Sequence, residues 1–354
     1  MSFSPKPEAD SAADDRQRPL VSVIMPAHNA ADYIGEAIES VLSQTYPYWE
    51  LLVVDDASSD ATGAIVQEYQ SRDPRVRYFP VERIGHPAGV RNHGFRQAQG
   101  DLIAFMDADD AYFPDALARL SAVLLAEPRA TAAFGFASYM DETGAAFEKQ
   151  PILLTSLGEG RVGPPAGYPK SWPDIVSGDI TCMLPGLMLR RSVRERVGFF
   201  NEALCGPEDY EYYVRLYLDD YEGVRCLPAY IYRYRIHSAS LTKSPEHVER
   251  VLESCLKIFD WLFGSEPRLP QECRQYRSQA YAGVYRYLAR ERLLNNQPGL
   301  CRKVAARAWG DPNVTRGQWF RKILPLTLRS VIPHGLDQWF VRLRWQLRRA
   351  LSGA

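Results

Sequence analysis

The chain has 354 residues, of which 46% are hydrophobic and 24% are charged, and its formal net charge at pH 7 is −1. This composition is that of a globular protein long enough for a large α/β domain with an appendage, and the balanced charge excludes a chain that binds nucleic acid through an overall basic surface. Six scattered cysteines without a C-x-x-C pair exclude a cysteine zinc site and a disulfide scaffold, and they predict a reducing, cytoplasmic location.

The first 18 residues are polar and lack the apolar core of a signal peptide, so we expect a disordered N-terminal tail. No apolar run approaches the length that is needed to span a bilayer.

Two apolar runs predict the first strands of a buried sheet. Leu20–Met25 is nearly continuous and we expect Pro26 to end it, while Glu50–Asp55 forms the second strand. Such runs are typical of parallel strands that are buried on both faces. One helical pattern lies between the two runs, and a second helix after them is predicted to be capped by Ser59 or Asp60.

A third strand near residues 75–79 and a helix over 87–99 continue the alternation of strand and helix. This spacing predicts βαβ units and a mostly parallel sheet. Polar residues follow the strands, with His28-Asn29 after the first and Asp55-Asp56 after the second. Because the carboxyl ends of parallel strands lie at one edge of the sheet, these groups are expected to converge on a ligand.

An apolar strand over residues 102–106 runs directly into three acids, Asp107, Asp109 and Asp110. Clustered carboxylates repel one another unless a cation or a proton intervenes, and Mg²⁺ commonly shares one or two carboxylates with substrate phosphates. The first hypothesis is therefore a metal–diphosphate site. The alternative is that Asp109 or Asp110 caps the helix that begins near Pro114.

The second half of the chain is less regular. Residues 151–174 are rich in proline and glycine and predict a loop. We expect strands over 131–140, 182–189 and 229–236, with helices over 190–197 and 208–219.

Beyond Pro245 the pattern becomes helical, with helices expected near 246–263, 270–294 and 298–308. The last segment, 336–351, places leucines and aromatic residues on one side of a helix and arginines around them. Two interpretations stay open, a helix docked on the body of the protein or an amphipathic helix that contacts the inner face of the cell membrane as a peripheral anchor.

Four features stand in sequence order: Val21–Asn29; Val54–Asp60; Ala88–Gly94 together with Phe105–Asp110; and Gly198–Glu202 together with Glu208–Leu216. As an ordered set, they closely resemble glycosyltransferase family 2, over about residues 20–240. The resemblance implies an α/β, GT-A-like (Rossmann-like) and mostly parallel sheet flanked by helices over residues 19–240. A helical extension, 241–354, follows it and is not covered.

The resemblance also implies inverting transfer of a sugar from a nucleotide-diphosphate donor, a UDP-sugar by family habit, with Mn²⁺ or Mg²⁺ as cofactor. A metal held by carboxylates would stabilise the charge of the diphosphate leaving group. Asp109 and Asp107 match the D-x-D pattern of metal and donor binding around Ala108. His237 matches a late Arg-x-His segment that can meet the metal, although a lone histidine is more often structural.

Other donor-site residues follow from the same resemblance. Asp56 is expected to bind the nucleotide base, while Asp55 could instead accept backbone hydrogen bonds in the turn. Arg91 suits a phosphate, or it could pair with a nearby acid. The segment expected to line the base comprises Pro26, Ala27, His28 and Asn29.

The acceptor hydroxyl needs a general base, which the family places in an "ED" pair. Here that pair is Glu208-Asp209, so we assign Asp209 as the base and Glu208 as a supporting carboxylate. We expect the helix N-terminus to keep Asp209 ionised. Simple helix capping by Asp209 is the alternative.

The expected acceptor is a saccharide or a lipid-linked saccharide, in polysaccharide or glycolipid biosynthesis. Two other functions fit the sequence less well. A sugar nucleotidyltransferase would need a glycine-rich phosphate loop with a basic residue after the first strand, and Pro26–Asn29 fits this poorly. A non-catalytic scaffold should have lost the metal acid or the base, and both Asp109 and Asp209 are present.

Overall fold

The computed structural model describes residues 18–147, 172, 175, 184–204, 206–237, 245–294 and 296–331. The predicted tail up to residue 17, nearly all of the 151–174 loop and the 336–351 helix lie outside these residues. The described chain belongs to two compact units, one containing 18–147 and 184–237 and the other containing 245–331. The domain boundary at 240/241 stays a prediction.

The first unit is built on one eight-stranded sheet in the order β3-β2-β1-β4-β7-β6-β8-β5. Its strands are β1 (Val21–Ala27), β2 (Trp49–Asp56), β3 (Val76–Val81), β4 (Leu102–Phe105), β5 (Ala111–Tyr112), β6 (Ala132–Met140), β7 (Leu187–Arg190) and β8 (Val224–Arg235). The first four strands in that order are parallel, β4 and β6 pair antiparallel with β7, and β6 and β8 are parallel. The mostly parallel α/β sheet predicted from the alternation is confirmed.

Helices flank the sheet of this unit: α1 (Ile34–Leu42), α2 (Thr62–Arg72), α3 (Pro87–Gln97), α4 (Ala116–Ala126), α5 (Arg191–Val197) and α6 (Glu208–Asp220). All eight residues of β2 are buried, as expected for a strand covered on both faces. On β1, Val21, Val23 and Met25 share one apolar cluster with α1, whereas Ile24 faces α3.

Two sequence-based expectations about element ends are wrong. Pro26 lies inside β1 and does not end it. It is tolerated because β4 pairs with β1 only as far as Ile24, so one side of the strand needs no ladder bond at Pro26. The α2 helix begins at Thr62 after Ala61, without a side-chain cap, and Asp60 instead binds the backbone N–H groups of Ala31 and Thr62.

The second unit is helical, with α7 (Pro245–Gly264), α8 (Arg277–Leu294) and α9 (Pro298–Gly310) close to the predicted spans. A 3₁₀ turn, Gln271–Tyr276, replaces the expected start of α8. Two short helices, α10 (Arg316–Gln318) and α11 (Leu324–Arg329), flank a π-helical turn at Trp319–Ile323. None of the helices described here has the length and apolarity to cross a membrane.

Gly94 allows α3 to lie directly on the sheet. A Cβ at this position would stand 2.7 Å from Cγ2 of Ile24 and 3.1 Å from Cγ2 of Val54, both buried in the core. The helix therefore approaches β1 and β2 so closely that any side chain would push it outward. Because α3 also carries Arg91, this close approach sets the depth of a functional side chain.

We expect Gly94→Ala to destabilise the protein by about 1–3 kcal/mol, since overpacking outweighs the gain in helix propensity. Urea unfolding followed by circular dichroism would measure the change. Gly299→Ala is the matched control, because a Cβ there has nothing within 4 Å. Equal stabilities of the two variants would contradict the close-packing argument.

Candidate active site

The register of the parallel strands brings the polar strand ends together. Ala27 of β1 pairs with Asp55 of β2, and Ile24 pairs with Phe105, two residues before Asp107. His28 Nδ1 lies 2.8 Å from the carbonyl oxygen of Asp56 and joins the ends of the two strands. The carboxyl edge of the sheet is thus a single polar surface, as the strand pattern predicts.

Asp56 holds the loop that precedes α3. Its carboxylate accepts hydrogen bonds from the backbone N–H groups of Ile84 and Gly85. It also forms an ion pair with Arg83, whose Nη1 lies 2.9 Å from Asp56 Oδ2. Asp55 accepts from Ser58 N–H at 3.0 Å and from the Tyr78 hydroxyl at 2.6 Å, which is the turn-stabilising alternative. The Asp56 carboxylate therefore holds residues 83–85 in place. Its binding of a nucleotide base stays a prediction.

The segment after β1 is fixed by the loop after β2. Asn29 has a positive φ of 49°, and its side-chain oxygen accepts from Ser59 N–H at 2.8 Å. Its own N–H donates to Ser58 Oγ at 2.9 Å. Pro26 and Ala27 lie within β1, and their predicted contact with a nucleotide base is untested.

Arg91 connects the acidic turn to the start of α6. Its side chain is 8% exposed and donates from Nη2 to Asp107 Oδ1 at 2.7 Å and from Nη1 to Glu208 Oε1 at 2.8 Å. Burial alone would lower the pKa of Arg91, but the charges of Asp107 and Glu208 outweigh it and raise that pKa above its ordinary value. Of the two alternatives for Arg91, the structure shows the pairing with acids.

Asp209 follows Glu208 in the first turn of α6 and is half-buried. Burial, followed by the negative charge of Glu208, raises the pKa of Asp209 from 3.8 to about 7. The expectation that the helix N-terminus keeps Asp209 ionised is therefore wrong as stated, because desolvation and the neighbouring acid outweigh the helix dipole. A carboxylate with a pKa near neutrality is well matched to accepting a proton from a hydroxyl.

Asp109 and His237 meet on the open side of the acidic turn. Asp109 Oδ2 lies 3.0 Å from His237 Nε2, and the Asp109 side chain is 38% exposed whereas that of His237 is 8% exposed. The Tyr33 ring packs on the His237 ring with centroids 4.8 Å apart. The two residues lie 128 positions apart in sequence, so only the fold makes them neighbours.

Arg235 is a site residue that the sequence argument missed. Its guanidinium is 1% exposed, donates to the carbonyl oxygens of Asp109 and Asp141, and pairs with Glu36. It also lies over the Tyr33 ring at 4.9 Å. The available signal was its place two residues before His237, although nothing in the sequence indicated Tyr33 or Glu36.

Asp110 is buried and does not cap a helix. Its Oδ1 accepts the backbone N–H of Arg235 at 2.9 Å, and α4 begins instead after Asp115. Burial, together with the charges of Asp109 and Asp107, raises the pKa of Asp110 well above its ordinary value. The capping alternative for Asp109 and Asp110 is therefore wrong, and Asp110 joins the acidic turn to the end of β8.

The donor set suits a hard or borderline divalent cation. Across the residues that the structure describes, no three carboxylate, imidazole or thiolate groups are gathered to hold a metal by themselves. Asp107 is also engaged by Arg91. Asp109 and His237 could supply two ligands, an oxygen from a partly exposed carboxylate and a nitrogen from a buried imidazole. A cation that completes its coordination with substrate phosphates and water fits such an incomplete site.

The chain is similar to several known proteins in sequence and in fold. The family profile described as "Glycosyl transferase family 2" matches residues 22–193, from the start of β1 to α5. The Escherichia coli protein described as UDP-Glc:alpha-D-GlcNAc-diphosphoundecaprenol beta-1,3-glucosyltransferase WfgD is 46% identical over 98 residues, which are 28% of this chain and 38% of WfgD. The chain spans at most about half the length of the first curated relatives that it matches.

Two solved structures share the fold. TarS 1-349 from S. aureus in complex with UDP-GlcNAc is 20% identical, with a TM-score of 0.55 over 88% of this chain and 82% of that chain. The mannosyltransferase PcManGT from Pyrobaculum calidifontis, in complex with GDP-Man and Mn2+, is also 20% identical. Its TM-score is 0.53, and the match covers 89% of this chain and 87% of that chain. The profile match thus assigns residues 22–193 to glycosyl transferase family 2, and the fold that contains them is GT-A-like.

Proposed function

We propose that the protein is an inverting glycosyltransferase that moves a sugar from a nucleotide-diphosphate donor to a hydroxyl group of an acceptor. One observation carries the proposal: Arg91 joins Asp107 of the acidic turn to Glu208, next to Asp209. This arrangement holds a donor-binding turn and a candidate base beside each other at the carboxyl edge of the sheet, where ligands of open α/β sheets bind.

The diphosphate of the donor would lie at the acidic turn. Asp109 and His237 are the residues that would hold Mn²⁺ or Mg²⁺, and the imidazole favours Mn²⁺ of the two. When bound, the cation would neutralise charge that develops on the departing diphosphate. Asp107 stays fixed by Arg91 and borders the same turn, while Ala108 between them is buried.

Asp209 would accept the proton of the acceptor hydroxyl as the hydroxyl oxygen attacks the anomeric carbon from the side opposite the diphosphate. Attack from that side accounts for inversion in a single displacement. Glu208 pairs with Arg91, and its negative charge beside Asp209 contributes to the raised pKa of Asp209. The base is therefore tuned by the same ion pairs that position it.

The donor and acceptor classes are finer proposals. We favour a UDP-sugar donor, in line with the UDP-GlcNAc complex of TarS and the UDP-Glc in the description of WfgD, whereas the GDP-Man complex of PcManGT is the competing case. The acceptor is a saccharide or a lipid-linked saccharide in polysaccharide or glycolipid biosynthesis, which the diphosphoundecaprenol substrate named for WfgD supports. Such acceptors suit a cytoplasmic enzyme at the inner face of the membrane.

Calorimetric titration of UDP, GDP and dTDP, each with and without Mn²⁺, tests the donor site. We expect one nucleotide to bind, and Asp109→Ala to weaken its metal-dependent binding by at least about tenfold because the site has only two protein ligands. Asp115→Ala is the control, since the Asp115 side chain is 42% exposed and pairs only with Arg119 among its described contacts. Absence of binding by all three nucleotides under both conditions would refute the transferase proposal.

The pH dependence of kcat/KM tests the base. Because Asp209 must be ionised to accept a proton and its pKa is raised to about 7, activity should rise with pH through about 7 and then level off. Asp209→Asn should lower kcat by about 10²–10⁴-fold and leave nucleotide affinity nearly unchanged. A rate that is independent of pH between 5 and 8 in the intact enzyme would argue against Asp209 as the base.

Substitution of Arg91 tests how much the ion pairs of Arg91 with Asp107 and Glu208 contribute to stability. Arg91→Met leaves Asp107 and Glu208 without their common partner, and we expect a loss of about 3–5 kcal/mol in the free energy of unfolding. Arg72→Met removes an exposed pair with Glu68 and a 5.9 Å contact with the Tyr69 ring, and it should change the free energy of unfolding by about 1 kcal/mol or less. Urea denaturation of both variants would measure the difference, and similar small losses would show that the bridge is not a structural requirement.

A further inference from the structure

Exposed apolar side chains are concentrated near the end of the second unit. Seven large hydrophobic residues are more than one-third exposed in the part of the chain that the structure describes, and four of them fall within residues 309–331. These four are Trp309 at 41%, Phe320 at 53%, Leu328 at 53% and Val331 at 62% exposed. Single exposed apolar residues need no explanation, but a cluster of this kind marks an interaction surface.

Three aromatic rings form the rigid part of this surface. The ring of Trp309 lies 4.9 Å from that of Trp319 and 6.0 Å from that of Phe320, centroid to centroid. Trp319 is held in place by a hydrogen bond from its Nε1 to the carbonyl oxygen of Ala305 at 2.9 Å. Arg316 lies over the outer Trp309 ring at 3.6 Å. The exposed rings of Trp309 and Phe320 therefore pack against Trp319, whose own position is fixed by a hydrogen bond.

An aliphatic stripe extends from the aromatic cluster along the following turns. Phe320, Leu324 and Leu328 follow one another at intervals of four residues, which places them on one side of the helical segment 319–329. Val331 follows three residues later, in the turn after that segment. Leu324 is half-buried, and the next two project further into solvent. The exposed arginines Arg321 and Arg329 belong to the same segment.

The charge of this region differs sharply from that of the whole chain. Residues 298–331 contain seven lysines and arginines and one acid, although the full chain has a net charge of −1. The basic residues are Arg302, Lys303, Arg307, Arg316, Arg321, Lys322 and Arg329, and the acid is Asp311. A local excess of this size attracts an anionic surface over roughly one Debye length, about 8–10 Å.

We propose that a basic-aromatic surface docks on an anionic lipid bilayer. Its members are the apolar residues Trp309, Phe320, Leu328 and Val331 and the arginines Arg316, Arg321 and Arg329. Tryptophan and phenylalanine suit the headgroup boundary, and arginines pair with lipid phosphates. The aliphatic Leu328 and Val331 favour a lipid surface over a nucleic acid, because bases stack on aromatic rings and gain little from exposed aliphatic groups. This proposal concerns residues 309–331 and does not depend on the 336–351 pattern or on the proposed transferase activity.

Co-sedimentation of the full chain with vesicles tests the docking, without nucleotide present. We expect binding to phosphatidylcholine vesicles that contain phosphatidylglycerol, weak binding to pure phosphatidylcholine, and release by salt. Phe320→Ser/Leu328→Ser should lower the partition coefficient by at least about tenfold, since two buried apolar groups are lost. Arg321→Glu/Arg329→Glu should abolish the preference for the anionic vesicles.

Matched variants on the first unit serve as controls. Leu125→Ser removes a side chain that is 47% exposed, and Arg129→Glu reverses an exposed charge, so neither should alter vesicle binding. Circular dichroism would confirm that each variant is folded. Trp339→Ser/Phe340→Ser in the full chain separates the contribution of the sequence beyond Val331.

Several outcomes would overturn the proposal. They are no vesicle binding by the intact chain, loss of binding only in Trp339→Ser/Phe340→Ser, or equal losses in the control variants. Tighter binding to a single-stranded oligonucleotide than to anionic vesicles, or a dimer that Phe320→Ser/Leu328→Ser dissociates, would assign the surface to another partner. Nucleotide titration of the same samples is a separate measurement, so failure of the docking and failure of the transferase proposal can be told apart.

Discussion

The candidate site depends on one buried cation between two acids. Arg91 lies on α3 and is almost fully removed from solvent. It donates hydrogen bonds to Asp107, which follows β4, and to Glu208 at the start of α6. A buried guanidinium without these partners would be costly, and so would either acid without the guanidinium. The three elements are therefore held at a fixed separation, which keeps the acidic turn and Asp209 on the same side of the sheet.

A second buried arginine organises the opposite wall of the turn. Arg235 binds the backbone of Asp109 through its side chain and the carboxylate of Asp110 through its N–H. Glu36 and Tyr33 of the α1 region complete its surroundings. Because His237 lies two residues further along, the end of β8 places the histidine and the acidic turn together. The partly exposed Asp109 and the buried His237 thus rest on this framework, whereas the Asp107 carboxylate is engaged by the first arginine.

The two parts of the chain to which we assign functions carry their charges in different ways. The first unit concentrates acids and two buried arginines at one edge of its sheet, where Arg91 pairs with Asp107 and Glu208, and Arg235 pairs with Glu36. In the second unit, residues 298–331 carry a solvated basic excess beside exposed aromatic and aliphatic groups. Buried, paired charges suit the selective binding of a small polyanion, and exposed basic charges beside apolar groups suit an extended lipid surface.

Local pattern determined much of this protein. The apolar runs at β1, β2 and β4 identified buried parallel strands, and the acids after β4 identified the polar edge, because burial on two faces and strand direction are both encoded by neighbouring residues. The ordered motifs indicated Asp109, Glu208 and Asp209, and the Arg-x-His segment indicated His237. Pattern also established the helical character of the region beyond Pro245.

Tertiary structure decided the partners and the proton affinities. That Arg91 would bridge Asp107 and Glu208, and that Arg235 would bind the acidic turn, depends on groups 16 to 126 residues apart in sequence. The raised pKa of Asp209 also needed the fold, since desolvation and the charge of Glu208 overcame the helix dipole that local sequence suggests. Long-range packing sets the burial and distances of these charges, and no local pattern encodes it.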